Sequence, residues 1–187
     1  MKPQELLAIL SVAEKLKCST RHCYTSTGRH ESVAEHSWRV SLMAMLLTKD
    51  FPEADMDKVI RMCLIHDLGE AFTGDIPTFE KTEADTEKED ALFADWVRTL
   101  PEGPREEFTA LLAEMNALET QEAKIYKALD KMEAVIQHNE SDISTWLPLE
   151  YDLQLVYGEE NVKFSPYMQA LKAEVNGWTR KKIAEGM

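Results

Sequence analysis

Apolar residues recur at steps of three and four along most of the chain, which is the spacing of one buried helix face. The first such face consists of Leu6, Ile9, Leu10, Ala13 and Leu16. Further helices are predicted over about residues 33–51, 56–70, 83–100, 108–115 and 120–139. Two shorter helices are expected to begin at Pro148 and Pro166. No stretch alternates between apolar and polar residues as a half-buried strand does, so the expected fold is all-α.

Residues that begin and end helices stand where this spacing changes. Ser32 predicts a helix start, because its hydroxyl and the carboxylate of Glu35 three positions later can form a capping box. Gly74 predicts a helix end. Pro101 and Pro104 are expected to separate two helices.

Two parts of the chain carry more specific expectations. Between residues 18 and 31 the helical spacing disappears and Ser, Thr, Gly, Arg and His dominate, so a loop is expected. The inward faces of the third and fourth predicted helices are expected to be Val59, Met62, Cys63 and Leu64, and Leu92, Phe93, Trp96 and Val97. The whole chain, 1–187, is expected to form a single domain, with a core at about 5–140 and C-terminal helices packed on it.

The formal net charge of −13 narrows the set of partners. So acidic a surface repels phosphate backbones, which argues against nucleic acid and against anionic membranes. The three cysteines form no CxxC pair, as expected in a reducing compartment, and no apolar run is long enough for a membrane span or typical of a signal peptide. The protein is therefore expected to be soluble and cytoplasmic.

Two histidines and two aspartates on predicted helices suggest a metal site. Each has an ordinary explanation alone: His36 as a buried core histidine, Asp67 as a surface carboxylate, and Asp130 as the solvated edge of its helix. The pair His66-Asp67, however, ends a helix that is otherwise apolar, and His36 and Asp130 lie on other helices with apolar faces. Two imidazoles and two carboxylates suit one borderline divalent ion such as Mn, Co, Fe, Ni or Zn.

Two further acids stand near this set. Glu70 follows His66 by four residues and so shares its helix face, where a carboxylate could accept a proton from an attacking water. Asp75 follows Gly74 directly. The ordinary reading of Glu70 is an exposed helix residue and that of Asp75 a turn residue, and spacing alone does not decide between these readings.

The motif order resembles a known family. His36, then His66-Asp67, then Asp130 resembles the H…HD…D signature of the HD-domain metal-dependent phosphohydrolases, which are all-α. The segments ESVAEHSWRVSLMA, HDLGEAFTGDIPT and KALDKMEA are similar to those of the YfbR-type 5′-deoxynucleotidases and their eukaryotic relatives. The resemblance covers roughly residues 5–140.

The resemblance implies a function and roles for particular residues. Enzymes of this branch remove the 5′-phosphate from deoxyribonucleoside monophosphates with one divalent metal ion, which implies a small nucleotide as partner. It implies His36, His66, Asp67 and Asp130 as the metal ligands. It also implies Glu70 as the acid that activates water, Asp75 as a second acid near the phosphate, and Arg21 and Lys81 as residues near the substrate. A homodimer is expected as well.

One position departs from the family pattern. The bacterial enzymes have a tryptophan next to the arginine, where the 2′-position of the sugar is sensed, and this chain has His22. The smaller imidazole is expected to weaken discrimination against ribose. Arg29 precedes the helix that carries His36; its ordinary reading is a solvated loop residue, and its alternative is a contact with phosphate.

Two alternatives to this function stay open at this point, and a structural zinc is weighed separately. The enzyme acts on another nucleotide, such as a cyclic dinucleotide, an alarmone or a triphosphate, or the chain is a binding module that has lost catalysis. The binding module is disfavoured, because all four candidate ligands and Glu70 are present in the sequence. A structural zinc at Cys18, His22 and Cys23 lacks a fourth ligand and the usual spacing.

Overall fold

The computed structural model describes residues 1–186 and confirms an all-α fold. Within these residues the elements are α1 (Pro3–Ala13), α2 (Lys15–Cys18), β1 (Thr20–Tyr24), β2 (His30–Ser32), α3 (Val33–Leu46), α4 (Met56–Ile65), α5 (Glu70–Thr73), α6 (Glu83–Arg98), α7 (Glu102–Ala117), α8 (Gln121–Glu140), α9 (Glu150–Val156) and α10 (Pro166–Gly186). Two 3₁₀ turns, Ile143–Thr145 and Glu160–Val162, flank α9. None of the described helices is both long and apolar enough to cross a membrane.

The centre of the molecule is formed by α3, α4 and α8, which pack against one another. Their inward side chains are fully buried: Val33, Val40, Val59, Met62, Ile125, Leu129 and Met132. Burial of each such side chain stabilises the fold by about 1.5–3 kcal/mol. The packing brings α3, α8 and the turn that follows α4 next to one another, and these segments carry the candidate ligand residues.

Local signals placed several helix ends as predicted. The Ser32 hydroxyl accepts a hydrogen bond from the backbone N–H of Glu35 at 3.3 Å, and the Glu35 carboxylate accepts one from the N–H of Ser32 at 2.9 Å. This capping box starts α3. Gly74 ends α5 with φ of +77°, a conformation that glycine adopts without strain.

The predicted loop at 18–31 instead contains an antiparallel hairpin, β1 and β2, in which Thr20 pairs with Ser32. The strands are short, and their buried positions hold polar or small residues such as Cys23 and Glu31. No alternation of apolar residues was present to reveal them. The expectation of a loop there was wrong.

The predicted helix over 56–70 is interrupted. It ends at Ile65, and the chain then continues with i→i+3 hydrogen bonds, from Leu68 N–H to the Ile65 carbonyl and from Glu70 N–H to the Asp67 carbonyl. These are the tighter 3₁₀ bonds, and tight turns inside helices are frequent at functional positions. The turn carries the His-Asp pair.

Some expected inward faces were also wrong. Leu64 is 51% exposed, and Leu6 and Leu10 of α1 are 42% and 52% exposed. Pro104 lies within the first turn of α7 and does not break it, because a proline there removes no helical hydrogen bond. The helix from Pro166 is the longest of the described helices, with 21 residues.

The C-terminal helix α10 packs on α8 and α9. Met168 and Val175 are buried there, and the Asn139 side chain donates a hydrogen bond to the Thr179 hydroxyl at 3.0 Å. This packing supports the prediction of one domain, which stays a prediction.

Candidate metal centre

Four side-chain atoms from three parts of the chain converge between α3, α4 and α8. His36 Nε2 lies 3.3 Å from His66 Nε2, 3.7 Å from Asp67 Oδ2 and 3.3 Å from Asp130 Oδ1. His66 Nε2 lies 3.1 Å from Asp67 Oδ2 and 3.7 Å from Asp130 Oδ1. The structure therefore brings together the four predicted metal ligands.

The other nitrogen of each imidazole fixes which ring atom faces the cluster. His66 Nδ1 lies 2.8 Å from the carbonyl of Cys63, which can only accept, so Nδ1 donates. His36 Nδ1 hydrogen-bonds the carboxylate of Glu133 and donates in the same way. In the neutral rings both Nε2 atoms therefore present lone pairs to the centre of the cluster.

Two such nitrogens and two carboxylate oxygens make four acceptors that face one point. This arrangement requires positive charge at the point. Ligands about 2.2 Å from an octahedral ion lie about 3.1 Å apart when adjacent, close to the separations of 3.1–3.7 Å found here. The donor set and its spacing fit one divalent cation.

The pKa values of the candidate ligands also favour positive charge in the cluster. Burial opposes the charged imidazolium, but Asp67 and Asp130 outweigh it and raise the pKa of His66 to about 10. Burial alone would raise the pKa of Asp130, yet Lys127, Lys131 and the two histidines hold it well below its usual range. Without a cation, protons occupy the histidines, so metal binding must release them.

Glu133 is a functional residue that the sequence did not point to. It is fully buried and accepts the Nδ1–H of His36, while its other oxygen accepts Arg39 Nε at 2.6 Å. Such a partner fixes the tautomer and the orientation of a metal-ligating histidine. The available signal was its place three residues after Asp130, on the same face of α8.

Glu70 lies beside the cluster and is buried at the start of α5. Its Oε2 atom is buried and has no hydrogen-bond partner among the described residues. Burial and the carboxylates of Asp67 and Asp75 raise the pKa of Glu70 to about 10. A buried carboxyl oxygen left without a partner is rare and marks a place for a ligand or water.

Asp75 and Arg21 are close to the same position. Burial raises the pKa of Asp75, which the Arg21 guanidinium opposes. Arg21 Nη1 lies 4.0 Å from Asp67 Oδ2, and its Nε, 3.5 Å from Glu31 Oε2, is buried without a hydrogen-bond partner. A part-buried guanidinium next to the cluster suits an anion such as a phosphate.

Two other residues predicted to bind substrate, Arg29 and Lys81, form ion pairs with glutamates in this structure. Arg29 is on the surface and makes a two-point ion pair with Glu35, at 2.9 and 2.5 Å. Lys81 donates to Glu89 Oε2 at 2.8 Å. Lys81 lies near enough to Glu70 and Asp67 for their charges to raise its pKa, whereas Arg29 makes no contact with the four ligands. The roles of both residues in substrate binding stay predictions.

A cleft opens next to Arg21 and Asp75. His22 is part of its wall, with its ring edge-to-face with Phe79 at 5.4 Å between ring centroids. Two side chains of the cleft had not been singled out in the sequence, His138 on α8 and Glu150 at the start of α9. Both come from regions without a motif, and only folding places them here.

Cys18, His22 and Cys23, weighed from the sequence as a structural zinc site and disfavoured there, do not form a ligand cluster. Cys18 is exposed, whereas Cys23 is buried and its thiol donates to Glu31 Oε2 at 3.2 Å. All three cysteines are free.

An all-α bundle that carries an H…HD…D set on three neighbouring helical segments defines a helical metal-binding domain. The sequence model of the HD domain family matches residues 13–172, and the chain belongs to this family. Membership is consistent with each ligand position described above.

Named relatives and solved structures agree with this family. The chain is 32% identical over 142 residues to the Homo sapiens protein named 5′-deoxynucleotidase HDDC2, covering 73% of this chain and 68% of that protein. It is 28% identical to the Dictyostelium discoideum protein of the same name, covering 95% and 94%.

The crystal structure of a predicted metal-dependent phosphohydrolase from Magnetospirillum magnetotacticum MS-1 is also similar. It superimposes with a TM-score of 0.77 at 27% identity, covering 95% of this chain and 94% of that one. The fold and a divalent-metal centre are thus shared with proteins described as phosphohydrolases.

Proposed function

We propose that this protein removes the 5′-phosphate from (deoxy)ribonucleoside monophosphates by hydrolysis. One observation carries the proposal: two imidazole nitrogens and two carboxylate oxygens, each of these oxygens within 3.7 Å of both nitrogens, lie beside a buried, unpartnered Glu70 oxygen and a part-buried arginine. Relatives named 5′-deoxynucleotidase support the choice of substrate class. The native ion is proposed to be Mn, Co, Fe, Ni or Zn, all of which suit two imidazoles and two carboxylates.

Each side chain has a defined task in this reaction. A divalent cation held by His36, His66, Asp67 and Asp130 would polarise the phosphoryl group and lower the pKa of a water molecule. Arg21 binds the phosphate through its guanidinium and offsets the acidic surface of the chain. Glu70 accepts the proton of the attacking water.

The charge state of Glu70 follows from its surroundings. Because burial and neighbouring carboxylates raise its pKa to about 10, the carboxyl is neutral until positive charge enters the cluster. A divalent cation held in the cluster would favour the ionised form of Glu70, which is the form that can accept a proton. Asp75 is the second acid proposed to lie near the phosphate.

The nucleoside is assigned to the cleft beside Arg21. Ile76, Pro77, Phe79 and Leu153 give it apolar walls, and His22, Gln154 and Tyr157 give it polar groups. The phosphate end of such a substrate would point to the metal centre, because Arg21 and Asp75 belong to both sites.

The test is reconstitution of the ion-free protein. Single additions of Mn²⁺, Co²⁺, Fe²⁺, Ni²⁺ and Zn²⁺ are followed by assay of phosphate release from dAMP, AMP and other nucleoside monophosphates. Release from monophosphates and not from cyclic dinucleotides, alarmones or triphosphates is expected. Activity confined to those other nucleotides would support the second candidate substrate class, and inactivity on every compound would support a binding module.

Glu70→Gln is expected to lower kcat by at least about a hundredfold, since general base catalysis contributes roughly 10²–10⁴. The variant should keep its metal content, because Glu70 is not one of the four ligands. Phosphate release and elemental analysis of the same sample measure both effects. The control is Glu80→Gln, an exposed glutamate in the following loop, and a near wild-type rate for Glu70→Gln would contradict the assigned role.

Three further properties are proposed with this function. A homodimer is supported by exposed apolar side chains on α1, where Leu7 is 63% and Leu10 52% exposed. Light scattering during size-exclusion chromatography tests it. A cytoplasmic location is supported by three free cysteines, and the absence of nucleic-acid and membrane partners by the charge of −13.

A further inference from the structure

A second cluster of potential metal ligands lies in the cleft, apart from the four ligands of the metal centre. Glu150 Oε1 is 2.8 Å from His138 Nε2 and 3.3 Å from His22 Nε2. The three residues come from α9, α8 and β1, and all three line the cleft. Their ligand atoms all lie within 4.8 Å of one another.

The tautomer of His138 shows that positive charge belongs in this cluster. Its Nδ1 lies 3.0 Å from the carbonyl of Ala134, which can only accept, so Nδ1 carries a hydrogen. In the neutral ring, Nε2 then presents a lone pair to the carboxylate of Glu150. Two acceptors at 2.8 Å repel unless a proton or a cation lies between them.

Glu150 is present as a carboxylate. Burial favours its neutral form, but the hydrogen bond with His138 and the backbone N–H of Leu147 outweigh burial and lower its pKa. The Leu147 N–H donates to the other oxygen, Oε2, at 2.7 Å. This contact leaves Oε1 directed at the two imidazoles.

The position of His22 Nε2 favours a cation over a proton in this cluster. A proton on His138 satisfies only the contact with Glu150, whereas an ion can join both imidazoles to the same oxygen. Ligands about 2.0–2.1 Å from a tetrahedral ion lie about 3.3 Å apart. The distance from His22 to Glu150 already has this value, and the distance from His138 would lengthen by about half an ångström.

The surroundings hold the ligands in place as a metal site requires. The Ala134 carbonyl orients His138 through Nδ1, and the Trp146 indole N–H donates to the His138 carbonyl at 3.0 Å. Phe79 packs edge-to-face on His22. Hydrogen bonds of this kind to the far side of ligands typically strengthen metal binding by ten- to a hundredfold.

We propose that His22, His138 and Glu150 form a second metal site, suited to Zn²⁺ or a similar borderline divalent ion. Two histidines and one glutamate leave a fourth position, which faces the cleft and would take water or a donor atom of a bound molecule. None of its ligands belongs to the first centre, although His22 also lines the cleft assigned to the nucleoside; metal content therefore tests the site separately from the proposed activity.

The test uses the full-length protein, freed of metal by chelation and then given Zn²⁺ alone. After removal of excess ion, elemental analysis is expected to find two equivalents per chain in the wild type. His138→Asn and His22→Asn should each hold one. Asp67→Asn combined with Asp130→Asn, which disables the first centre, should also hold one, carried by the second site.

A matched control exists within the hairpin. His30 belongs to β2, near His22, but not to the cluster, so His30→Asn should keep two equivalents. With Co²⁺ in place of Zn²⁺, the intense visible absorption of tetrahedral cobalt should appear in the wild type and in the variant without the first centre. It should disappear in His22→Asn and His138→Asn.

Either of two results overturns the proposal. The wild type binds a single equivalent and shows no tetrahedral cobalt absorption, which means that protons bridge the cluster. Alternatively, the second equivalent persists in both single-histidine variants. Circular dichroism melting curves check the folding of each variant, and His22→Asn, in the partly exposed hairpin, keeps the test available should His138→Asn fail to fold.

Discussion

Glu133 contacts a candidate ligand of the metal centre from outside the cluster. It has one carboxylate oxygen on His36 and the other on Arg39. Arg39 in turn bonds Gln137 at 2.7 Å and Glu140 at 2.5 Å. The chain of contacts holds a fully buried histidine in the tautomer that presents Nε2 to the cluster.

Glu133→Gln is expected to weaken metal affinity by about ten- to a hundredfold, because an amide holds the His36 tautomer less firmly. Competition with a chromophoric chelator measures the affinity. Glu140→Gln is the matched control, since Glu140 also bonds Arg39 but does not touch His36. Equal affinities for the two variants would show that Glu133 does not position His36.

His22→Trp is expected to raise the preference for dAMP over AMP, because an indole fills the space that an imidazole leaves beside Arg21. The ratio of kcat/KM for the two nucleotides measures the change. The wild type is expected to have a smaller preference than the variant. A wild-type preference of several hundredfold for dAMP would contradict the assignment of weak sugar selectivity to His22.

At the scale of elements, the tight turns decide how the helices are joined. Gly158 ends the turn after α9 with φ of +76°, and a Cβ there would lie 2.7 Å from the Cβ of Lys131. Gly103 differs, because it lies in the first turn of α7 and a Cβ there would meet nothing within 4 Å.

These two glycines predict opposite effects of the same substitution. Gly158→Ala is expected to lower the free energy of unfolding by about 1–3 kcal/mol, from the left-handed backbone and the clash. Gly103→Ala should raise it by about 0.5–1 kcal/mol, because alanine favours the helix. Urea unfolding measures both, and a shared direction of change would be inconsistent with the turn geometry.

The helices with strong local signals were predictable, and the hairpin was not. The Ser32 and Glu35 capping box acts between residues three apart, so sequence spacing alone sets the start of α3. The strands β1 and β2 depend on pairing across a turn and bury polar residues toward the site. The tight turn after Ile65 depends on the packing of α4 and is likewise invisible in the apolar spacing.

At the scale of the whole molecule, the packing of α10 buries a charge. Lys172 is 3% exposed and its ammonium donates to the carbonyl of Gln154 at 3.2 Å. Burial lowers the pKa of Lys172 to about 8. The unfolded chain, with an ordinary lysine pKa of about 10.4, therefore holds more protons than the folded chain between about pH 8 and 10.

The free energy of unfolding is expected to rise with pH across this window because of Lys172, by on the order of 2 kcal/mol. Lys172→Met removes this contribution. The free energy of unfolding of the wild type minus that of the variant should therefore change with pH only between about pH 8 and 10. Denaturant unfolding at a series of pH values measures it. Lys181→Met, which changes an exposed lysine of the same helix, is the control, and its difference in unfolding free energy from the wild type should not change with pH. If the difference for Lys172→Met is also independent of pH, the burial of this charge is contradicted.

The sequence by itself determined the class of fold, most helix positions and the four candidate ligands that the structure brings together. Apolar spacing reports which helix faces are buried, and the order of His36, His66-Asp67 and Asp130 identifies the family, because both are local or linear properties of the chain. Leu64 shows where this information ends, since an apolar residue at the expected spacing remains half exposed.

Only the tertiary structure decided which atoms meet. The tautomers of His36 and His66 depend on Glu133 and on the Cys63 carbonyl, and the cleft combines His22 with His138 and Glu150 from distant segments. Such contacts arise from how helices pack, which no spacing in the sequence records. The placement of Arg29 in a surface ion pair has the same origin, because the geometry of its turn directs it to Glu35 and away from the ligands.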